Sequence, residues 1–410
     1  MALELTNACA KAGHGQRPGS MAALRETICS EIVLSCTREF GATLQAIVLT
    51  GSLARDEATA VFKRDLAFFS SDADCLLVFP ATIEPSTERL ARLSTEIEKR
   101  LFTAGIEVAI GLAAVAPTYF DELPAHSYTY ELRNSGRVLW GEAGLLSHIP
   151  YYTVAQLSKE DAWRTLSNRI IETLMCVGNP ECESRRFSAE TEYAVTKLYL
   201  DMATSYLIFI GEYETTYAAR ARRLAELAAR NAGEAPFVLA TFSSRVSSAT
   251  DCKLKGIGGF APVRSSLEEA KMYSQQLWLW EAARLSGKPS DLPVLDLAVG
   301  AARKQTVAAR LRSWASLLRR TGWFRGARQW PRWARLSISA SPRHLIYAAA
   351  VQLFWSMSSL ASDQAGNDID YAELQALLPV VPPSDKPATW NSLVQAVGLN
   401  YKVFLHGTLA

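Results

Sequence analysis

At 410 residues the chain exceeds what one hydrophobic core usually organises, so two or more domains are expected. Its composition is 49% apolar and 20% charged, that of an ordinary globular protein. A net charge of +2 selects neither for nor against a nucleic-acid partner, so the distribution of charge matters more than its sum.

The first twenty residues carry no apolar signal core and read as a mobile tail. Seven cysteines are scattered along the chain (Cys9, Cys29, Cys36, Cys75, Cys176, Cys182 and Cys252) with no CxxC pair. Such an odd, unpaired set fits a reducing compartment, and a cytoplasmic location is expected. From Met21 to Phe40 apolar residues recur at helical spacing (Leu24, Ile28, Ile32, Leu34), and Gly41 is a stop signal. Ala46-Ile47-Val48-Leu49 reads as a short buried strand ending in Thr50-Gly51-Ser52. The following LARDEATA is made of helix formers, and residues 61–70 (VFKRDLAFFS) read as an insertion whose Lys63, Arg64 and Asp65 lie at the surface.

Cys75 to Phe79 is an apolar run bounded by Pro80, hence a buried strand, with Asp72 and Asp74 at its lip. Residues two apart on a strand share a face, so both carboxylates point the same way while Ala73 points the other. Two like charges so close repel, and neither is cheap to desolvate. Residues 87–104 form an amphipathic helix with Leu90, Leu93, Ile97 and Leu101 on one side, followed by a strand over 106–111 that carries Glu107. This alternation predicts a small sheet with helices packed on it, over residues 21–150.

Past Pro150 helical patterns dominate, which makes the whole chain an α+β protein: a small mixed sheet, then a large all-α region. Ser158 to Asp161 resembles a capping box opening a helix that ends at Gly178-Asn179-Pro180. Ser188 caps a second helix through Ile210, and Tyr217 to Ala232 is a third. Residues 151–295 are assigned to this helical domain and 296–410 to a basic, Trp-rich helical region. Between Asp296 and Asp363 there is no acidic residue. Arginines and one lysine over 303–335 interleave with Trp314, Trp323, Trp330 and Trp333. That pattern suits an anionic membrane surface or a nucleic acid, and equally a helical domain with a solvated basic face and tryptophans in its core. Residues 345–361 are too short and too polar for a membrane span and read as a buried or interfacial helix.

The N-terminal elements share a chemistry. A strand ending in Gly51-Ser52 offers backbone N–H groups and a hydroxyl to phosphate oxygens, and glycine permits close approach. Carboxylates converging from two strands hold divalent cations, and magnesium shares its shell between carboxylates and substrate phosphates. The positive partner that Asp72 and Asp74 need is then Mg2+ bound with a nucleoside triphosphate.

LTGSLARDEA (49–58) followed by SDADCLLVF (71–79) resembles the signature of the DNA polymerase β-like nucleotidyltransferase superfamily, nearest its minimal and aminoglycoside branch. Gly51, Ser52, Ala54, Arg55 and Glu57 match that branch's GSxARGE pattern, while Asp56 stands where glycine is usual. LRNSGRVLWGE (132–142) resembles the segment that closes the catalytic domain. The resemblance covers roughly residues 22–145. It implies that Gly51 and Ser52 bind the terminal phosphates, that Asp72, Asp74 and Glu107 hold two Mg2+ ions, and that Glu107 helps deprotonate the acceptor. The implied reaction moves a nucleoside monophosphate, by default AMP from ATP, to a hydroxyl of an unidentified small molecule or glycan. Transfer to RNA or protein, and a non-catalytic nucleotide-binding module, stand as alternatives. Asp121 and Glu122 compete with Glu107 but follow Pro117 in a loop or helix start.

Arg55 is either a phosphate contact or a salt-bridged helix residue. Lys197 either reaches the triphosphate or pairs with Asp201 four residues on. His126, His344 and His406 have no metal-ligand spacing, and Gly256 to Gly259 lacks the context of a dinucleotide fingerprint.

Overall fold

The structure is a computed structural model that describes residues 20–63, 66–178, 189–231, 233–255, 263–321, 330–357, 370–380 and 387–405. The chain divides into two compact units, residues 1–156 with a short piece from 251 onward, and the remainder. The protein is α+β, with two small sheets near the N-terminus and helices thereafter.

In the first unit, helix α1 (Met21–Phe40) is capped by Ser20 and stopped by Gly41, whose φ of 54° favours glycine. Strand β1 (Ala46–Leu49) leads into a single helical turn, α2 (Gly51–Ala54). The helix expected over LARDEATA stops there. Asp56 takes a left-handed φ of 62°, and its carboxylate is held by Arg25 and Arg137. The segment read as an insertion holds two antiparallel strands, β2 (Ala60–Lys63) and β3 (Leu66–Phe69), paired from Ala60 opposite Phe69 to Lys63 opposite Leu66. Strand β4 (Ala73–Val78) follows, then helix α3 (Thr87–Thr103), which buries Leu90, Leu93, Ile97 and Leu101 as the spacing predicts.

The single strand expected over 106–111 is two. β5 (Ile106–Glu107) joins β2 and β3 in a three-stranded sheet, whereas β6 (Ile110–Val115) runs parallel to β4 in a four-stranded sheet. After α4 (Thr118–Asp121) and α5 (Ser127–Ser135), β7 (Arg137–Trp140) completes the second sheet, ordered β6-β4-β1-β7.

Both faces of that sheet are covered, which is why β1 and the part of β4 beyond Asp74 are apolar without interruption. Ile47, Leu49, Cys75 and Leu77 pack with residues of α1 and α3 on one face. Ala46, Val48, Leu76 and Val78 pack with Phe120 and Leu132 on the other.

The second unit is helical. Ser158 caps α6 (Lys159–Val177), accepting from the Asp161 amide at 3.1 Å, and α7 (Ala189–Ile210) ends at Gly211. Ser188, Asn179, Pro180, His406 and Gly256 to Gly259 lie outside the described residues. Next come α8 (Tyr217–Ala229), α9 (Leu239–Lys255), α10 (Val263–Ser286), α11 (Val294–Arg303), α12 (Val307–Thr321), α13 (Trp330–Ser339) and α14 (Pro342–Ser356), then α15 (Tyr371–Leu377) and α16 (Trp390–Asn400).

The apolar segment read as buried or interfacial is buried over its described part. α14 is enclosed on all sides, as a helix apolar all round should be. Its Tyr347 hydroxyl donates to Asn168 Oδ1 at 2.8 Å, and Tyr347, His344 and Trp278 each pack against the buried Trp163. Among the described residues no helix is long and apolar enough to cross a membrane.

Candidate functional site

Around the start of β4, exposure alternates: Asp72 exposed, Ala73 buried, Asp74 exposed, Cys75 buried. The two carboxylates therefore share a side, as the strand period requires. The neighbouring chain fixes their backbone. Thr50 N–H donates to the Asp74 carbonyl at 2.8 Å, and Ala73 N–H to the Ala109 carbonyl at 2.9 Å.

Asp74 stands between two glycines. A Cβ on Gly51, whose φ is 69°, would lie 3.4 Å from Asp74 Oδ2. In the parallel register Asp74 is opposite Gly111, and a Cβ there would come within 2.3 Å of Oδ1. The carboxylate thus occupies space that only glycine leaves open on that neighbouring strand.

A pocket of about 150 Å³ opens beside Asp74, lined by Gly51, Arg55, Tyr128 and Glu131 among others. Tyr128 and Glu131 come from α5, which follows β4 by some fifty residues, and no local motif marks them. Burial, with Tyr119 and the charge of Asp74, raises the Tyr128 phenol, so it stays a hydrogen-bond donor at neutral pH. Arg55 is buried and bridges two carboxylates, Glu57 at 3.2 Å and Glu131. The salt-bridged alternative for Arg55 is therefore realised at the pocket wall. Ser52, Asp72 and Glu107 are not among the lining residues.

Glu107 is exposed on β5 and pairs with Phe68 of β3, in the other sheet. The strand beside β4 begins only at Ile110, and the residue opposite Asp74 is Gly111 rather than an acid. Among the described residues no group of three or more His, Cys, Asp or Glu side chains is placed to hold a metal. The expected three-carboxylate cluster of Asp72, Asp74 and Glu107 is thus not gathered. What remains, two carboxylates of hard oxygen on one side of a strand end, fits a magnesium ion that completes its shell from phosphate oxygens.

Lys197, on α7 in the second unit, has its ammonium 5.1 Å from the Tyr193 ring centre. Asp201 pairs with Arg169 at 2.5 Å rather than with Lys197, so the expected intrahelical pair gives way to one between helices. A lysine that local sequence did not single out is Lys253, in the stretch of α9 grouped with the first unit. It is buried, and its ammonium donates to Ser71 Oγ at 2.6 Å, one residue before Asp72. Its own carbonyl accepts from the Thr59 hydroxyl.

In comparisons with known proteins, no family model, curated protein or solved structure matches this chain.

Proposed function

We propose that the chain is a nucleotidyltransferase that uses a magnesium-bound nucleoside triphosphate, by default ATP, and an acceptor hydroxyl. The observation that carries this is the Asp74 carboxylate, which fills the space that Gly111 leaves open, beside the Gly51-Ser52 turn and on the same side as Asp72. A strand end so arranged offers acidic oxygens and open backbone within one small region. The resemblance of residues 22–145 to polymerase β-like nucleotidyltransferases adds the reaction type.

In this reading the Gly51 and Ser52 amides and the Ser52 hydroxyl bind the terminal phosphates. Asp72 and Asp74 would hold magnesium, which supplies charge neutralisation at phosphorus. The acceptor oxygen forms a bond to the α-phosphorus, the α–β phosphoanhydride bond breaks, and pyrophosphate leaves. The proton lost by the acceptor passes to a carboxylate of the strand end, Asp72 or Asp74, since Glu107, to which the resemblance gives that role, stands on the other sheet. The pocket beside Asp74 takes one end of the nucleotide, because sites that enclose a whole ligand run from about 300 Å³ upward. Tyr128 is placed there as a donor. The acceptor is a small molecule or glycan; RNA or protein are the macromolecular alternatives.

A second reading, a regulatory module that binds the triphosphate without turnover, is favoured by one observation: Glu107 is not gathered with Asp72 and Asp74. Incubation with ATP labelled at the α-phosphorus separates the two. Transfer of label to an aminoglycoside, a glycan, RNA or the protein itself, with matching pyrophosphate and loss in Asp72→Asn and Asp74→Asn, is the expected result. Triphosphate binding without transfer to any of these would leave the regulatory reading.

A further inference from the structure

The basic region of the second unit has a side that the nucleotidyltransferase reading does not use. Two of its tryptophans are internal. Trp314 and Trp333 are buried, 6.1 Å apart, and donate their indole N–H groups to the carbonyls of Ala340 and Pro379 at 2.9 and 2.8 Å. They anchor α12 and α13 to the core. Several arginines are likewise spent inside. Arg332 donates to carbonyls at the end of α15, and Arg310 donates to the Ile338 carbonyl at 3.4 Å, tying α12 to α13.

What remains outside is of two kinds. Arg303, Lys304, Arg312, Arg319 and Arg335 are exposed and form no ion pair among the described residues. The same two helices expose aliphatic side chains: Val307 at 61%, Leu311 at 54% and Ile338 at 77%. Ala308, Leu311, Arg312, Ala315 and Arg319 recur at steps of three and four, so they line one side of α12, opposite the buried Trp314 and Leu317. No carboxylate interrupts the sequence from 297 to 362.

We propose that the exposed sides of α12 and α13 dock on an anionic lipid surface, with Leu311 and Ile338 entering the headgroup region and the free cations contacting lipid phosphates. Charge complementarity selects an anionic partner. The apolar groups select lipid over nucleic acid. Exposed aliphatic groups on helices rich in cations are what an interfacial helix presents. The docking is peripheral, and it does not depend on the proposed chemistry of the first unit.

The test is co-sedimentation of the whole protein with vesicles of phosphatidylcholine alone and of phosphatidylcholine with phosphatidylglycerol in equal parts. Binding to the anionic vesicles only, weakened by salt, is expected. Each cation near such a surface changes affinity about fivefold, so Arg312→Glu with Arg319→Glu should lower it by about 25-fold or more. Leu311→Ser with Ile338→Ser should lower it about tenfold. Both should unfold at the wild-type temperature. A control pair of exposed cations in the first unit, Arg92→Glu with Lys99→Glu, should bind as wild type. Absence of binding, equal binding to neutral vesicles, or equal loss in the control would overturn the proposal. So would displacement of the vesicles by a single-stranded oligonucleotide together with wild-type behaviour of the Leu311/Ile338 pair, which would assign the surface to nucleic acid.

Discussion

Asp74 has its place because Gly111 lacks a Cβ, and that makes Gly111 a sharper probe than the aspartate itself. In Gly111→Ala the new methyl would sit 2.3 Å from Oδ1, so the carboxylate must rotate away. A forced side-chain rotation costs about 1 kcal/mol, which the fold tolerates. We expect Gly111→Ala to unfold within about 1 kcal/mol of wild type yet to lose magnesium-dependent triphosphate binding by tenfold or more. Denaturant titration and ligand-induced thermal shift check the two halves. Wild-type binding would show that the position of Asp74 does not make the site.

Asp56 allows a second residue-scale test. It stands where the resembled pattern has glycine, and its φ of 62° is the backbone that glycine favours. Its ion pairs with Arg25 and Arg137 are half exposed and of little worth. Asp56→Ala keeps the strain and loses the pairs, whereas Asp56→Gly loses both. Asp56→Gly should therefore be the more stable by about 1 kcal/mol in urea denaturation. The same residue shows what sequence could and could not tell. The departure from the pattern was visible at position 56, but LARDEATA still read as helix, because propensity carries no information about one left-handed residue.

At the scale of elements, strands β1 and β4 and helices α1 and α3 were legible because burial writes its period directly into the apolar residues. Ile47 with Leu49, and Cys75 with Leu77, alternate faces with Val48 and Leu76, while Leu90, Leu93, Ile97 and Leu101 recur on one helix side. The β2–β3 pair was not legible. Three of the four residues of β2 are exposed, so no clean alternation survives. The break between β5 and β6 was hidden too, since a change of sheet leaves the alternation of exposure unaltered across 106–110.

Two buried titratable groups in the helices give pH predictions of opposite sign. On α14, His344 is fully buried with Ser341 Oγ 2.7 Å from Nδ1, and burial with nearby arginines pushes it from 6.5 down to about 3. Between those values the unfolded chain binds a proton that the folded chain does not, so this contribution to stability is lost as pH falls below 6.5. On α10, Glu281 is buried and raised well above its ordinary 4.5, the Ser205 hydroxyl offsetting part of the effect. There the folded chain keeps the proton longer, so stability is greatest below 4.5 and falls as pH rises through the folded value. Glu281→Gln should accordingly become more stable than wild type as pH rises above 4.5, and His344→Gln should show a flatter acid limb below 6.5, both in unfolding scans across pH. Parallel pH profiles for wild type and variants would contradict the assignment.

Across the whole molecule, the change from a mixed sheet to helices was plain in the sequence, and the composition of 303–335 marked a basic region. Which tryptophans turn inward was not readable there, because helical Trp/Arg interleaving suits a core and a surface alike. Trp314 and Trp333 proved to be anchors. Nor could sequence bring together residues that only the fold makes neighbours. Tyr128 and Glu131 reach Asp74 from a later helix, and Lys253 reaches Ser71 across 182 positions. The Asp72-x-Asp74 spacing, by contrast, already placed both carboxylates on one side.

The most direct measurement is thermal unfolding of the full chain with each nucleoside triphosphate, with and without Mg2+, for wild type and Asp74→Asn. A ligand at about a hundred times its dissociation constant adds roughly 2.7 kcal/mol, enough to raise the midpoint by about a degree or more in a chain of this length. A rise that requires Mg2+ and disappears in Asp74→Asn is the predicted result. No rise in the wild type, or an equal rise in the variant and without the metal, would contradict a metal–triphosphate site at Asp74.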